Sequence, residues 1–180
     1  TGLRNLAFMK WCTYYGINTL YNILTGFAGE RAEDFELQCN VIEKIGHLQP
    51  PYAVAQARAD RGSPMFVEPE AHAGQNLTPS PCYKNIFPED RFDHTKVCYY
   101  FEHSQGDIPD ESAYDRLYAL TYRWQLAWKT GKRATLRYFK AWQTMRIEDT
   151  RGGSKRSYVY GARAAALMEC CNDPRALSTI

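Results

Sequence analysis

Apolar positions recur at helical spacing along much of the chain. Ile17, Leu20, Leu24 and Phe27 fall three and four residues apart inside Trp11–Gly29, a run of 19 residues without a charge. They predict one amphipathic helix packed on protein and closed by Gly26 and Gly29. The run is long enough to span a membrane, but Asn18 and Asn22, with Thr13, Thr19 and Thr25, are costly against lipid. A tilted or interfacial helix stays open as the alternative. Phe35, Cys39, Ile42 and Ile45 make the apolar side of a second helix over Glu30–Ile45, opposite Glu33, Glu36, Glu43 and Lys44, with Gly46 as its stop. After Pro109 comes the clearest helix. Asp110 is its N-cap, Leu117, Leu120, Trp124 and Trp128 are its stripe, and Lys129 and Gly131 mark its end. Lys132 to about Glu148, through Leu136, Phe139, Ala141 and Trp142, predicts an antiparallel partner helix. Ser157–Cys171 predicts a last helix, with Tyr160, Ala164, Leu167 and Cys171 on one side.

Between these helices the pattern is weaker. Pro51 opens a short expected helix over Tyr52–Asp60, and Asp93–His103 reads as a short helix or strand. Residues 61–92 carry Gly62, Pro64, Pro69, Gly74, Pro79, Pro81 and Pro88. Met65, Phe66, Val67, Tyr83, Ile86, Phe87 and Phe92 give this segment apolar anchors, so it reads as a strap laid on a surface. The expected fold is all-α, with amphipathic helices, a C-terminal helical hairpin and a long extended Pro-containing segment. The expected organisation is one domain, with a helical acidic part over 1–60, the strap over 61–92 and a basic helical part over 93–180.

Composition changes this picture in one respect. The 180 residues are 44% hydrophobic and 23% charged, which excludes a disordered chain, a collagen-like repeat and a polytopic membrane protein. Net charge is only +2, yet residues 1–110 hold 9 Lys/Arg against 14 Asp/Glu, and residues 111–180 hold 13 against 6. From Arg123 to Arg163 only Glu148 and Asp149 oppose eleven basic residues, with Trp124, Trp128, Tyr138, Trp142, Tyr158 and Tyr160 interleaved. Lys132, Arg133, Arg137, Lys140, Arg146, Arg151, Lys155 and Arg156 are the candidate polyanion- or partner-binding residues. Pairing with the acidic first part of the same chain is the structural alternative.

Candidate chemistry is sparse. No catalytic motif stands out and no cofactor is expected. Gly131-Lys132-Arg133 and Gly152-Gly153-Ser154-Lys155 lack the full spacing of a phosphate loop. Glu89, Asp90, Asp93 and His94 cluster, but without a nucleophile. Cys82, His94, Cys98 and His103 are a possible tetrahedral zinc set, although paired knuckle spacing is missing. Six cysteines fit free buried thiols, and Cys82 with Cys98 is the pair expected if a bridge forms. Asn76-Leu77-Thr78 is a glycosylation triplet, and the start at Thr1 suggests a removed segment.

Lopsided charge, many aromatics and an anchored strap point to a non-catalytic accessory or scaffold subunit of a large assembly. The style resembles supernumerary subunits of mitochondrial inner-membrane complexes of the respiratory chain or ATP synthase. The partners would be other protein subunits and anionic lipid headgroups. An RNA-binding organellar ribosomal protein and a small zinc protein are the alternatives.

Overall fold

The computed structural model describes residues 2–27, 29–72, 77–102 and 109–176. In chain order the elements are α1 (Gly2–Tyr15), β1 (Asn22–Thr25), α2 (Ala32–Ile45), β2 (Ala53–Gln56), β3 (Ala59–Asp60), α3 (Pro64–Val67), α4 (Pro69–His72), β4 (Thr78–Pro79), α5 (His94–Val97) and β5 (Tyr100–Glu102). They continue with α6 (Asp115–Lys129), β6 (Leu136–Ala141), β7 (Thr144–Asp149), β8 (Arg156–Tyr160) and α7 (Ala162–Cys170). Among the described residues the fold is mixed α/β, 44% helix and 20% strand in three sheets, which overturns the all-α expectation.

The corrections have local causes. The run read as one helix over Trp11–Gly29 stops at Tyr15. Gly16 takes φ +69°, the Ile17 amide donates to the Cys12 carbonyl at 2.8 Å and the Gly16 amide to Thr13 at 3.4 Å, a Schellman ending. The chain then runs as β1 in parallel with β2, pairing Ile23 with Val54. Tyr52–Asp60 is therefore mostly strand. A Cβ on Gly16 would meet nothing within 4 Å, so a Gly16→Ala substitution carries backbone strain alone. It is expected to cost about 1–2 kcal/mol in urea unfolding.

Of the predicted C-terminal helical hairpin only α6 is a helix: Lys132 to about Glu148 forms β6 and most of β7 of a three-stranded antiparallel sheet, ordered β6-β7-β8, and β8 takes the start of the helix expected over Ser157–Cys171. Leu136, Phe139 and Trp142 lie three apart and imitate a helical stripe. The stretch is equally rich in β-formers: Tyr138 pairs with Ile147, and Ile147 with Tyr158. The β6–β7 turn needs only Trp142 and Gln143, with Trp142 in the left-handed region at φ 39° and 92% exposed. The strap is also not extended: α3, α4, β4 and a 3₁₀ turn over Pro81–Asn85 fold it back. Each short helix has a local start signal, such as the Ser63 N-cap before Pro64. Asp93–His103 divides into α5 and β5, while α2 and α6 lie where their stripes place them. Asp110 caps a 3₁₀ turn over Glu111–Tyr114 that runs into α6.

The chain divides into two compact units, with boundaries inside α2 and α6. One comprises 22–38 and 53–118. Its core is Ala57, Ala59, Met65, Cys98 and Phe101, joined by Phe27, Phe66, Leu77 and Tyr83. Here β5 lies between β3 and β4, and the Arg61 guanidinium donates to the carbonyls of Cys98 at 2.7 Å and Thr95 at 2.6 Å.

The other unit comprises 1–21, 39–52 and 119–180. Its buried apolar residues are Met9, Cys12, Cys39, Ile42, Leu48, Leu120, Trp124, Met145 and Ala165. Several polar groups are buried here with partners. Trp124 Nε1 donates to the Leu48 carbonyl at 2.9 Å. Gln49 Oε1 accepts from the Thr19 amide at 2.9 Å, its Nε2 donates to the Ile17 carbonyl, and Tyr21 donates to the Gln49 carbonyl at 2.7 Å. Burial pushes the Tyr21 phenol well above its usual range. One face of the C-terminal sheet carries Met145 and Lys140, and Lys140 pairs with Glu169 of α7 at 2.7 Å. The opposite face carries Arg137, Phe139, Arg146, Glu148 and Val159.

Candidate partner-binding groove

The unit of 1–21, 39–52 and 119–180 holds an open groove of about 710 Å³. Its floor takes Ile42 from α2 and Leu120 and Trp124 from α6, all buried. Its rim takes Arg123 from α6, Lys132 and Arg133 from the α6–β6 loop, and Arg151 from the β7–β8 loop, with Glu43 as the acidic member. Local sequence explains the arrangement. Leu120, Arg123, Trp124 and Ala127 share one side of α6 by their spacing. Gly131, at φ 71°, ends α6 and turns the chain so that Lys132 and Arg133 enter the rim. The Thr150 amide donates to the Thr135 carbonyl at 2.9 Å, and the Thr135 amide to Thr150 Oγ1 at 2.8 Å, closing the base of the β6–β7 hairpin beside the groove.

The cations of the rim are not equivalent. Arg151 is held. It donates from Nε and Nη2 to the Asp149 carboxylate at 3.0 and 2.8 Å, and from Nη1 to the Lys44 carbonyl at 2.8 Å. The last bond satisfies an otherwise open carbonyl at the C-terminal end of α2. These hydrogen bonds hold the Asp149 carboxyl at a pKa of about 2. The Arg133 guanidinium lies 4.8 Å from the Trp128 ring centroid, a cation–π contact that fixes its direction. Arg123 and Lys132 are exposed and have no ion pair among the described residues. They are the cations most open to an incoming anion.

Of the eight residues singled out from sequence, the groove gathers Lys132, Arg133 and Arg151. Arg137 and Arg146 share the open sheet face, where Arg146 lies 3.6 Å from Glu148 and 5.0 Å from the Phe139 ring. Lys140 is committed to Glu169. Lys155 pairs with Glu148 at 3.0 Å, and Arg156 lies on the sheet face of Lys140. In these cases the cations pair with carboxylates of the basic part itself, not with the acidic first part of the chain. Sequence reasoning did not select Arg123, Ile42 or Leu120 as site residues. The i, i+3, i+4 relation of Leu120, Arg123 and Trp124 was the available signal.

The zinc set is not assembled among the described residues, which contain no group of three or more His, Cys, Asp or Glu able to hold a metal ion. His103 and Asn76 lie outside the described residues. His94 Nε2 donates to the Phe87 carbonyl at 2.6 Å and its Nδ1 lies 3.8 Å from Glu89, so the imidazole is oriented by its own loop. Cys82 is exposed and Cys98 fully buried, and both are free thiols. Burial, then the neighbouring Cys82, pushes the Cys98 thiol up and keeps it protonated. Among the described residues no helix is long and apolar enough to cross a membrane.

The site is thus an open groove of a small α/β unit, with cations at its rim above Ile42, Leu120 and Trp124. A scan against protein-family models, a search of curated proteins and a search of solved structures each find no match to this chain.

Proposed function

We propose that the chain is a non-catalytic docking subunit of a protein assembly, and that the groove receives an acidic amphipathic segment of a partner polypeptide. The observation that carries this reading is the pairing of the uncommitted cations Arg123 and Lys132 with the apolar floor of Ile42, Leu120 and Trp124. Carboxylates of the segment meet the rim, and its apolar side chains lie on the floor. RNA is the less favoured polyanion. Glu148 and Asp149 interrupt the basic surface, and they neutralise Arg146, Lys155 and Arg151 at 3.6, 3.0 and 2.8 Å. A phosphate backbone needs a continuous cationic track.

The test is fluorescence anisotropy at fixed ionic strength with an amphipathic Glu/Leu peptide and a single-stranded RNA of mixed sequence. The triple variant Arg123→Glu, Lys132→Glu, Arg133→Glu is expected to bind the peptide at least about tenfold more weakly, roughly 1.4 kcal/mol. Arg163→Glu, on exposed α7, is expected to leave binding unchanged. Peptide binding indifferent to the triple reversal overturns the reading. RNA binding that is steeply salt-dependent and lost in the triple variant replaces it with the nucleic-acid alternative.

A further inference from the structure

A second cavity, of about 430 Å³, lies in the same unit and shares Arg151 with the groove. We infer that it is a binding site for a small anionic amphiphile, a single carboxylate or phosphate head on a short alkyl tail. The inference does not rest on the groove reading. The tail is matched by Leu3, Leu6 and Ala7 of α1 with Ile45, Leu48 and Pro174. The volume holds about fourteen non-hydrogen atoms at the ~30 Å³ that a water takes in the liquid. It falls within the size range of small-molecule sites.

The head is matched by charge. Four cations line the cavity, Lys10, Lys44, Arg151 and Arg175, against one carboxylate, Asp173. Lys10 donates to the Asn172 backbone carbonyl and to its Oδ1 at 3.0 Å, and Arg151 is committed to Asp149 and the Lys44 carbonyl. Asp173 accepts from Trp11 Nε1 at 3.4 Å. The ammonium of Lys44 and the guanidinium of Arg175 carry no ion pair among the described residues.

His47 is the reporter of an anion in the cavity. It is one of the lining residues, although its Nδ1 is itself enclosed by protein. Burial first, and then the Arg151 charge, hold the imidazole near a pKa of about 4, with Asp149 opposing them. The ring is thus neutral at pH 7, in a cavity whose potential is positive. An anion placed there offsets that potential and raises the pKa of His47, whereas a neutral ligand of the same length does not.

The experiment uses decanoate, octyl phosphate and decanol with the full chain at pH 7. Titration calorimetry reads binding, and proton NMR follows the His47 titration. Decanoate and octyl phosphate are expected to bind, the tighter of the two naming the headgroup, and decanol at least tenfold more weakly. Leu6→Trp, which fills the cavity, is expected to abolish binding, and Lys44→Gln to weaken both anions several-fold without affecting decanol. Circular dichroism matched to wild type certifies that each variant is folded. Saturation with decanoate is expected to move the His47 titration to higher pH. Decanol binding as tightly as the anions, decanoate binding unchanged in a folded Leu6→Trp, or a His47 titration insensitive to decanoate each overturns the assignment.

Discussion

Trp124→Ala is expected to lower the unfolding free energy by about 3–5 kcal/mol, the range for emptying a buried aromatic site. Trp124 is only 6% exposed, and its Nε1 donates to the Leu48 carbonyl at 2.9 Å. Truncation therefore opens a void and leaves that carbonyl unpaired. Against a total stability of roughly 5–15 kcal/mol such a loss is a fifth or more of the whole, and at the low end of that range it leaves much of this unit unfolded. Trp124→Phe separates the two effects. It keeps most of the ring volume and removes the donor, so a loss of about 1–3 kcal/mol is expected. Urea unfolding followed by far-UV circular dichroism measures both. A Trp124→Ala loss below about 1 kcal/mol means that the ring packs far less tightly than its burial indicates. Because Trp124 also floors the groove, Trp124→Phe is expected to retain peptide binding while stability falls.

The legible and illegible parts of this chain differ in how much each element buries. Phe35, Cys39 and Ile42 on α2, and Leu117, Leu120 and Trp124 on α6, are all buried, so their helical period reaches the sequence undiluted. Capping residues sharpen the same elements, Asp110 before α6 and Gly131 after it. The C-terminal sheet has no such contrast. Every residue of β6 is exposed, so neither face of that strand shows the alternation of apolar and polar positions by which strands are recognised. The aromatic spacing of Phe139 and Trp142 then imitates a helix, although Trp142 is the tip of a turn. β1 was hidden for a different reason. Its partner β2 is some thirty residues away, and parallel pairing leaves no turn signal between neighbours. Charge was legible as a count and not as a site. The sequence shows eleven cations from Arg123 to Arg163, but only the fold separates Arg123 and Lys132 from those held by Asp149, Glu148 and Glu169.

Arg151 shows what that separation means, because it was expected to bind a polyanion and instead holds its own loop. Arg151→Met is expected to cost about 2–3 kcal/mol at pH 7, since it strips a partly buried carboxylate of its charged partner and reopens the Lys44 carbonyl. The pH dependence identifies the cause. In the wild-type chain His47 titrates at about 4 instead of 6.5, so the unfolded state binds the extra proton between those values. Its stability term is complete above pH 6.5 and is lost as pH falls through about 4. Asp149 titrates at about 2 instead of 3.8, so a second loss follows as pH falls from 3.8 towards 2. Removing Arg151 takes away the largest cause of the Asp149 shift and one cause of the His47 shift. The variant is therefore expected to be less stable at pH 7 yet to lose less on acidification, with the stage below pH 3.8 nearly absent. Urea midpoints from pH 2 to 8 for both proteins test this. Parallel curves would show that Arg151 acts through packing alone, and a variant matching wild type at pH 7 would show that the Asp149–Arg151–Lys44 bonds contribute nothing to holding the β7–β8 loop.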